Sequence, residues 1–170
     1  DTDPFFKLGK KVSFFGDGHQ KREERFGHKV WTVPTMGGDF VLDCRFGFSD
    51  GVMGGNLWFL AETEAAAIEA AERGAAAVNN CPGAIMTFPG GVAASASKAG
   101  SKYSFLFAST YVEYCPTLRD SPDVETRLPD NVQSVMEIVI NGSSLQAISD
   151  ATQAAINASA ETPGLVKSTA

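Results

Sequence analysis

The sequence predicts an α+β fold, a ferredoxin-like βαββαβ lobe, on three observations. A strand-like run, an alanine-rich helical run and a Pro-Gly break follow one another from Asn56, and again in the same order from Val135. Each series closes on a further short strand-like run, at 84–88 and at 165–168. Between them lies a long span, 89–133, with no comparable periodicity. Strand–helix–strand taken twice gives an antiparallel four-stranded sheet with both helices on one face.

Taken in chain order, residues 1–54 stand outside that plan. They hold three expected strands, Lys11–Phe15, Lys29–Val33 and Phe40–Phe46, among glycine turns such as Gly16-Asp17-Gly18 and Gly37-Gly38. Three strands without a helix cannot cover both sheet faces, so this part is expected to be the closing strands of a preceding lobe. The chain opens on Asp1 rather than Met and ends at Val166-Lys167-Ser168-Thr169-Ala170, which reads as a fragment cut at both ends.

Asn56–Ala61 is rich in aromatic and branched residues and reads as a strand. Thr63 then starts a helix to about Val78, with Ile68, Ala71, Ala75 and Val78 along one face. Gly74 within it costs ~1 kcal/mol against alanine, tolerable where a strand packs closely. Pro82-Gly83 breaks the chain before the strand Ala84–Phe88. The span 89–133 is an insertion between the second and third strands, carrying Tyr103, Phe105, Phe107, Tyr111 and Tyr114. Connections this long inside a compact domain are usually functional. Val135–Ile140 is the third strand; Ser143, followed by Gln146, reads as a capping box. Leu145, Ile148, Thr152, Ala155 and Ile156 form the apolar stripe of the second helix, and 165–168 is the fourth strand.

Composition sets limits on function. With 170 residues, 44% hydrophobic and 20% charged, the chain is of globular type, one domain or one plus part of another. A net charge of −6 and the lack of a basic stripe argue against nucleic acid as a partner. No apolar run has membrane-spanning length and no signal-peptide pattern is present, so no membrane partner and a cytoplasmic setting are expected. Cys44, Cys81 and Cys115 are widely spaced and odd in number, and read as reduced, buried thiols. With His19 and His28 isolated as well, no metal site is expected.

Two features point to chemistry. The first is Phe88-Pro89-Gly90-Gly91-Val92-Ala93-Ala94-Ser95-Ala96-Ser97-Lys98, continued by Ser101 and Lys102: small, hydroxyl-rich and purely cationic within an acidic chain. It lacks the spacing of a P-loop, which excludes nucleotide hydrolysis on that basis. Gly90 and Gly91 let backbone approach a ligand, Ser95, Ser97 and Ser101 offer donors, and Lys98 and Lys102 attract carboxylates or phosphates. A solvated loop with ordinary surface lysines is the competing reading. The second is Glu137. Strand alternation puts Val135, Glu137 and Val139 on one face and Met136, Ile138 and Ile140 on the other. A carboxyl between two valines is either buried, where desolvation favours its neutral form and suits it to general acid–base work, or lies on a face open to solvent or paired with Lys or Arg. Among the other acids, Asp43 in Val41-Leu42-Asp43-Cys44 is the most interesting as a site residue, while Glu62 and Glu64 are explained by the helix dipole.

Three segments together carry a resemblance. Ser13-Phe14-Phe15-Gly16-Asp17-Gly18, the Phe88–Lys98 run and Glu137-Ile138-Val139-Ile140-Asn141-Gly142, with Pro163-Gly164-Leu165-Val166-Lys167, resemble the formylmethanofuran–tetrahydromethanopterin formyltransferase family, in order and nearly gap-free from about Lys10 onward. The resemblance implies two related α/β lobes, with 1–54 as the end of a truncated first lobe and 55–170 as nearly all of the second. It implies reversible formyl transfer between the amine of methanofuran and N5 of tetrahydromethanopterin, with these carriers as co-substrates and no metal. The motif glutamate, the family's candidate proton shuttle, falls on Glu137. Gly90, Gly91, Ser95, Ser97, Lys98, Ser101 and Lys102 become candidate contacts for acidic carrier substrates. Homo-oligomers are implied, or membership of a bacterial formyltransferase/hydrolase complex. Methanogenesis and bacterial methylotrophy are the two settings, and the alanine-rich helices and modest charge lean toward the bacterial one. Without the resemblance, the residues suit a non-catalytic ferredoxin-like module binding an acidic metabolite or a partner subunit.

Overall fold

The computed structural model describes residues 4–94, 101–106 and 111–170. It divides into two compact units, Asp1–Asp50 and Gly51–Ala170.

In the Asp1–Asp50 unit, β1 (Phe5–Phe6) pairs with β5 (Phe46–Gly47), and β2 (Lys21–Arg25), β3 (His28–Thr35) and β4 (Gly38–Asp43) form an antiparallel sheet in that order. Two of the expected strands are present in β3 and β4. The third is not: Lys11–Phe15 lies in a short helix, α1 (Leu8–Val12), and a 3-10 turn, Ser13–Gly16. The reason is tertiary. A Cβ on Gly9 would sit 2.1 Å from the Asp43 carbonyl oxygen, so α1 packs directly on backbone, and the Ser13 hydroxyl donates to the Lys10 carbonyl at 2.9 Å. β2 is an addition. Its sequence, Lys-Arg-Glu-Glu-Arg, has no apolar alternation, and it is held by the β3 ladder and by Thr32 donating to Glu23.

The Gly51–Ala170 unit is an α+β ferredoxin-like fold. Its strands are β6 (Asn56–Ala61), β7 (Ala84–Met86), β8 (Val92–Ala94), β9 (Ser134–Gly142) and β10 (Leu165–Thr169), with helices α2 (Glu64–Val78) and α3 (Leu145–Ser159). The sheet runs β10-β6-β9-β7, antiparallel throughout, and β8 also pairs with β9. Leu57 and Phe59 of β6 and Ile138 and Ile140 of β9 point at Ala70, Ala71, Ala75, Val78, Ala151 and Ala155 of the helices. Small residues let α2 and α3 lie close to the sheet. Gly74 is required there, since its Cβ would meet the Phe59 ring at 2.8 Å.

Two details differ from expectation. The second strand is broken: β7 ends at Met86, opposite Ile140, and β8 resumes with Val92 opposite Ile138. Residues 87–91 therefore bulge out against a single residue of β9, and the chain from 89 returns to the sheet before leaving it. The α3 cap is Ser144, whose hydroxyl accepts from the Ala147 amide at 3.1 Å, and not Ser143. The Ser143 amide instead donates to the Gly83 carbonyl at 2.8 Å, and Gln146 bonds Asp150. The three cysteines are free thiols, half-buried rather than buried. Among the described residues, no helix is long and apolar enough to cross a membrane.

Candidate functional site

Strand alternation fixes where Glu137 points. Its ladder neighbours are Trp58 on β6 and Ala93 on β8, so the carboxyl lies on the sheet face opposite the helices. That face is not open to solvent. Trp58, Leu60 and Val135 pack with Leu128 and Val132 of the 111–132 segment, and Tyr111 and Tyr114 close over them. Trp58 takes the Tyr111 ring edge-on at 4.8 Å and Tyr114 at 5.1 Å. Glu137 is 4% exposed as a result. Leaving a buried carboxyl without hydrogen bonds would cost several kcal/mol. Asn56, at the start of β6 and on the same face, meets that need: its amide Nδ2 donates to Glu137 Oε1.

Asn56 also lines a pocket of about 420 Å³, together with Trp58, Tyr111, Glu113 and Tyr114. One side chain thus touches both the pocket and the buried carboxyl. The Trp58 indole nitrogen is buried and has no hydrogen-bond partner among the described residues, so an unmatched donor sits on the strand position paired with Glu137. The chemistry available is a carboxyl group shielded from water, oriented by an amide, beside aromatic walls suited to a flat ligand.

The other expected site residues have mixed placements. Ser95, Ser97 and Lys98 lie outside the described residues. Gly90 has φ +74° and open space where a Cβ would stand. Gly91 is buried at φ +84°, and a Cβ there would meet Met86 at 2.7 Å and Ala75 at 3.1 Å, so its side is taken by packing under α2. Both glycines line a separate pocket of about 420 Å³ with Asn79, Ile85 and Phe88. The Ser101 hydroxyl accepts from the Tyr103 amide at 3.1 Å, and the exposed Lys102 ion-pairs with Asp123 at 3.4 Å. What the fold brings to Glu137 from this stretch is the β8 backbone at Ala93. Asp43 binds the His28 imidazole in the Asp1–Asp50 unit. Asn56, Trp58, Tyr111, Glu113 and Tyr114 were not foreseen as site residues. Strand parity alone puts Asn56 and Trp58 on one face of β6, but only the β6–β9 register sets that face beside Glu137. Among the described residues no group of His, Cys, Asp and Glu is arranged to hold a metal ion.

Residues 38–170 match the family model described as FTR, proximal lobe. The chain belongs to this formyltransferase family. It is 46% identical over 162 residues to the formylmethanofuran–tetrahydromethanopterin formyltransferase of Methanopyrus kandleri, covering 95% of this chain and 53% of the relative. The Archaeoglobus fulgidus enzyme of the same name is 43% identical, covering 100% of this chain and 57% of its own length. The chain therefore spans about half the length of the curated relatives it matches. Among solved structures, the formyltransferase from Methanosarcina barkeri superposes with a TM-score of 0.67 at 37% identity, covering 97% of this chain and 56% of that one. The formyltransferase/hydrolase complex of Methylorubrum extorquens, solved with methylofuran, gives 0.66 at 35%, covering 100% and 57%.

Proposed function

We propose that the protein containing this chain transfers a formyl group between the amine of methanofuran and N5 of tetrahydromethanopterin, with Glu137 as the proton carrier. The observation that supports this most directly is the carboxyl itself: buried on an otherwise apolar face, held by Asn56, and one residue removed from a pocket with aromatic walls. Amide-to-amine acyl transfer requires the attacking nitrogen to lose a proton and the leaving nitrogen to gain one, with a tetrahedral oxyanion between. A single carboxyl that accepts the first proton and returns the second satisfies both steps without a further group. Asn56 donates to Oε1 and so fixes the orientation of the carboxyl.

On this reading residues 1–54 close a first lobe related to the second, 55–170 form the second, and the 89–133 span is its insertion. Gly90, Gly91, Ser95, Ser97, Lys98, Ser101 and Lys102 remain candidate carrier contacts. The protein works as a homo-oligomer or as one subunit of a formyltransferase/hydrolase assembly. The decisive experiment is formyl transfer by the complete protein and its Glu137→Gln variant, which keeps the shape and an acceptor for Asn56. Loss of about 10²–10⁴-fold in kcat with an unchanged melting temperature is expected. Equal turnover removes Glu137 from the mechanism, and absence of turnover in the complete protein itself favours the non-catalytic binding module.

A further inference from the structure

We propose that the Asp1–Asp50 unit carries an anion-binding pocket, formed by Arg22, Lys29 and Arg45 beside the His28–Asp43 pair, that takes a small ligand with clustered phosphate or carboxylate oxygens. The pocket measures about 490 Å³. Its walls come from three strands. The β2–β3 register sets Arg22 opposite Trp31 and Glu24 opposite Lys29, so Arg22 and Lys29 project from the same face. The Cys44 amide donates to the Lys29 carbonyl at 3.1 Å, which brings the residues after β4 alongside Lys29 and places Arg45 at the rim.

Charge accounting makes the pocket unusual in a chain of net charge −6. Three of the nearby acids are already engaged. Arg25 takes both Glu23, at 2.7 Å, and Asp39, at 3.0 Å, and these contacts, Asp39 first, raise its pKa above the ordinary arginine value. Asp43 is held by the His28 Nδ1 at 2.5 Å. Arg22, Lys29 and Arg45 form no ion pair among the described residues. Glu24 faces Lys29 across the ladder without reaching ion-pair distance, so its carboxylate competes with an incoming anion for Lys29. Arg45 is also pre-oriented: its guanidinium lies 4.4 Å over the Phe5 ring. Stacking of that kind fixes the plane and leaves the N–H edge free to grip two oxygens at once. Three cations lining one pocket, with Glu23, Asp39 and Asp43 engaged by other groups, are lowered in energy by a ligand of opposite charge.

This assignment is independent of formyl transfer and is tested without it. The full chain is titrated calorimetrically with pyrophosphate and, separately, with tricarballylate at constant ionic strength, the first representing phosphate ligands and the second carboxylate ligands. Saturable one-site binding of at least one probe is expected. Arg22→Ala and Lys29→Ala should each weaken it about tenfold, and raising the salt should weaken it further. Glu24→Gln, which removes the competing charge at constant shape, should tighten it several-fold. The preferred probe identifies the ligand class. Failure of both probes to saturate, or affinities unchanged in all three variants, overturns the proposal. The Glu24→Gln arm guards against misreading a folding defect, since a damaged protein does not bind more tightly.

Discussion

Gly90 and Gly91 are adjacent, both at positive φ, yet the fold asks different things of them, and a paired alanine substitution separates the two demands. An alanine in the left-handed region costs about 1–2 kcal/mol, and loss of glycine freedom in the unfolded chain returns about 0.4–1 kcal/mol. At Gly90 nothing lies within 4 Å of the new methyl, so the net loss should be about 1 kcal/mol or less. At Gly91 the methyl would meet Met86 at 2.7 Å and Ala75 at 3.1 Å. The Met86 terminus can swing away, but the Ala75 methyl belongs to α2 and moves only with the helix. Overpacking of this kind adds about 1–3 kcal/mol, so Gly91→Ala should lose about 2–4 kcal/mol in total. Urea denaturation followed by far-UV circular dichroism reads both as shifts in midpoint at constant slope. Equal losses, or a smaller loss at Gly91, would refute the claim that packing under α2 requires a glycine at 91.

Two further outcomes follow from local hydrogen bonding. Ser144→Ala should destabilise the protein by about 1 kcal/mol through loss of the α3 cap, and Ser143→Ala by less, as thermal melts of the two variants will show. Arg119 donates to the Pro129 carbonyl at 3.0 Å and the Val132 carbonyl at 2.6 Å, tying down the segment that covers Trp58 and Val135. Arg119→Ala should cost about 2–4 kcal/mol and speed hydrogen exchange at Leu128 and Val132, whereas exchange in α2 stays unchanged.

The parts of the fold legible in the sequence are those where one periodicity dominates. Val135–Ile140 is an apolar strand broken by a single acid, so strand parity puts Glu137 on the Val135–Val139 face before any pairing is known, and the β6–β9 register agrees with it. The alanine stripe of α2 was equally plain. The parts that were not legible are set by partners far away in sequence. Lys11–Phe15 has strand-forming residues, yet Gly9 lying against the Asp43 backbone and the left-handed Asp17, at φ 50°, wind it into helix and 3-10 turn. β8 is Val-Ala-Ala after two glycines, with no propensity of its own, and exists because β9 offers an unpaired edge below Ile140. The site itself divides in the same way. Glu137 announced itself as an acid in an apolar strand; Asn56 and the Tyr111–Tyr114 wall act only through a sheet register and an insertion that single-sequence patterns do not encode.

That division bears on why the carboxyl is where it is. Val135, Val139 and Leu60 surround Glu137 on its face, and a leucine or methionine at 137 would fill the same space without desolvating a charge. Packing therefore gives no reason for an acid at this position, and the fold holds it with a dedicated amide from Asn56 and a lid of tyrosines. An arrangement that gains nothing in stability but fixes one carboxyl oxygen, shields the group from bulk water and sets it beside an aromatic pocket fits a group whose value lies in moving a proton. The broken second strand belongs to the same design. Had β7 run on without interruption, residues 87–91 would have continued the ladder. By bulging there and resuming at Val92, the chain places Ala93, the smallest chiral side chain, directly across from Glu137.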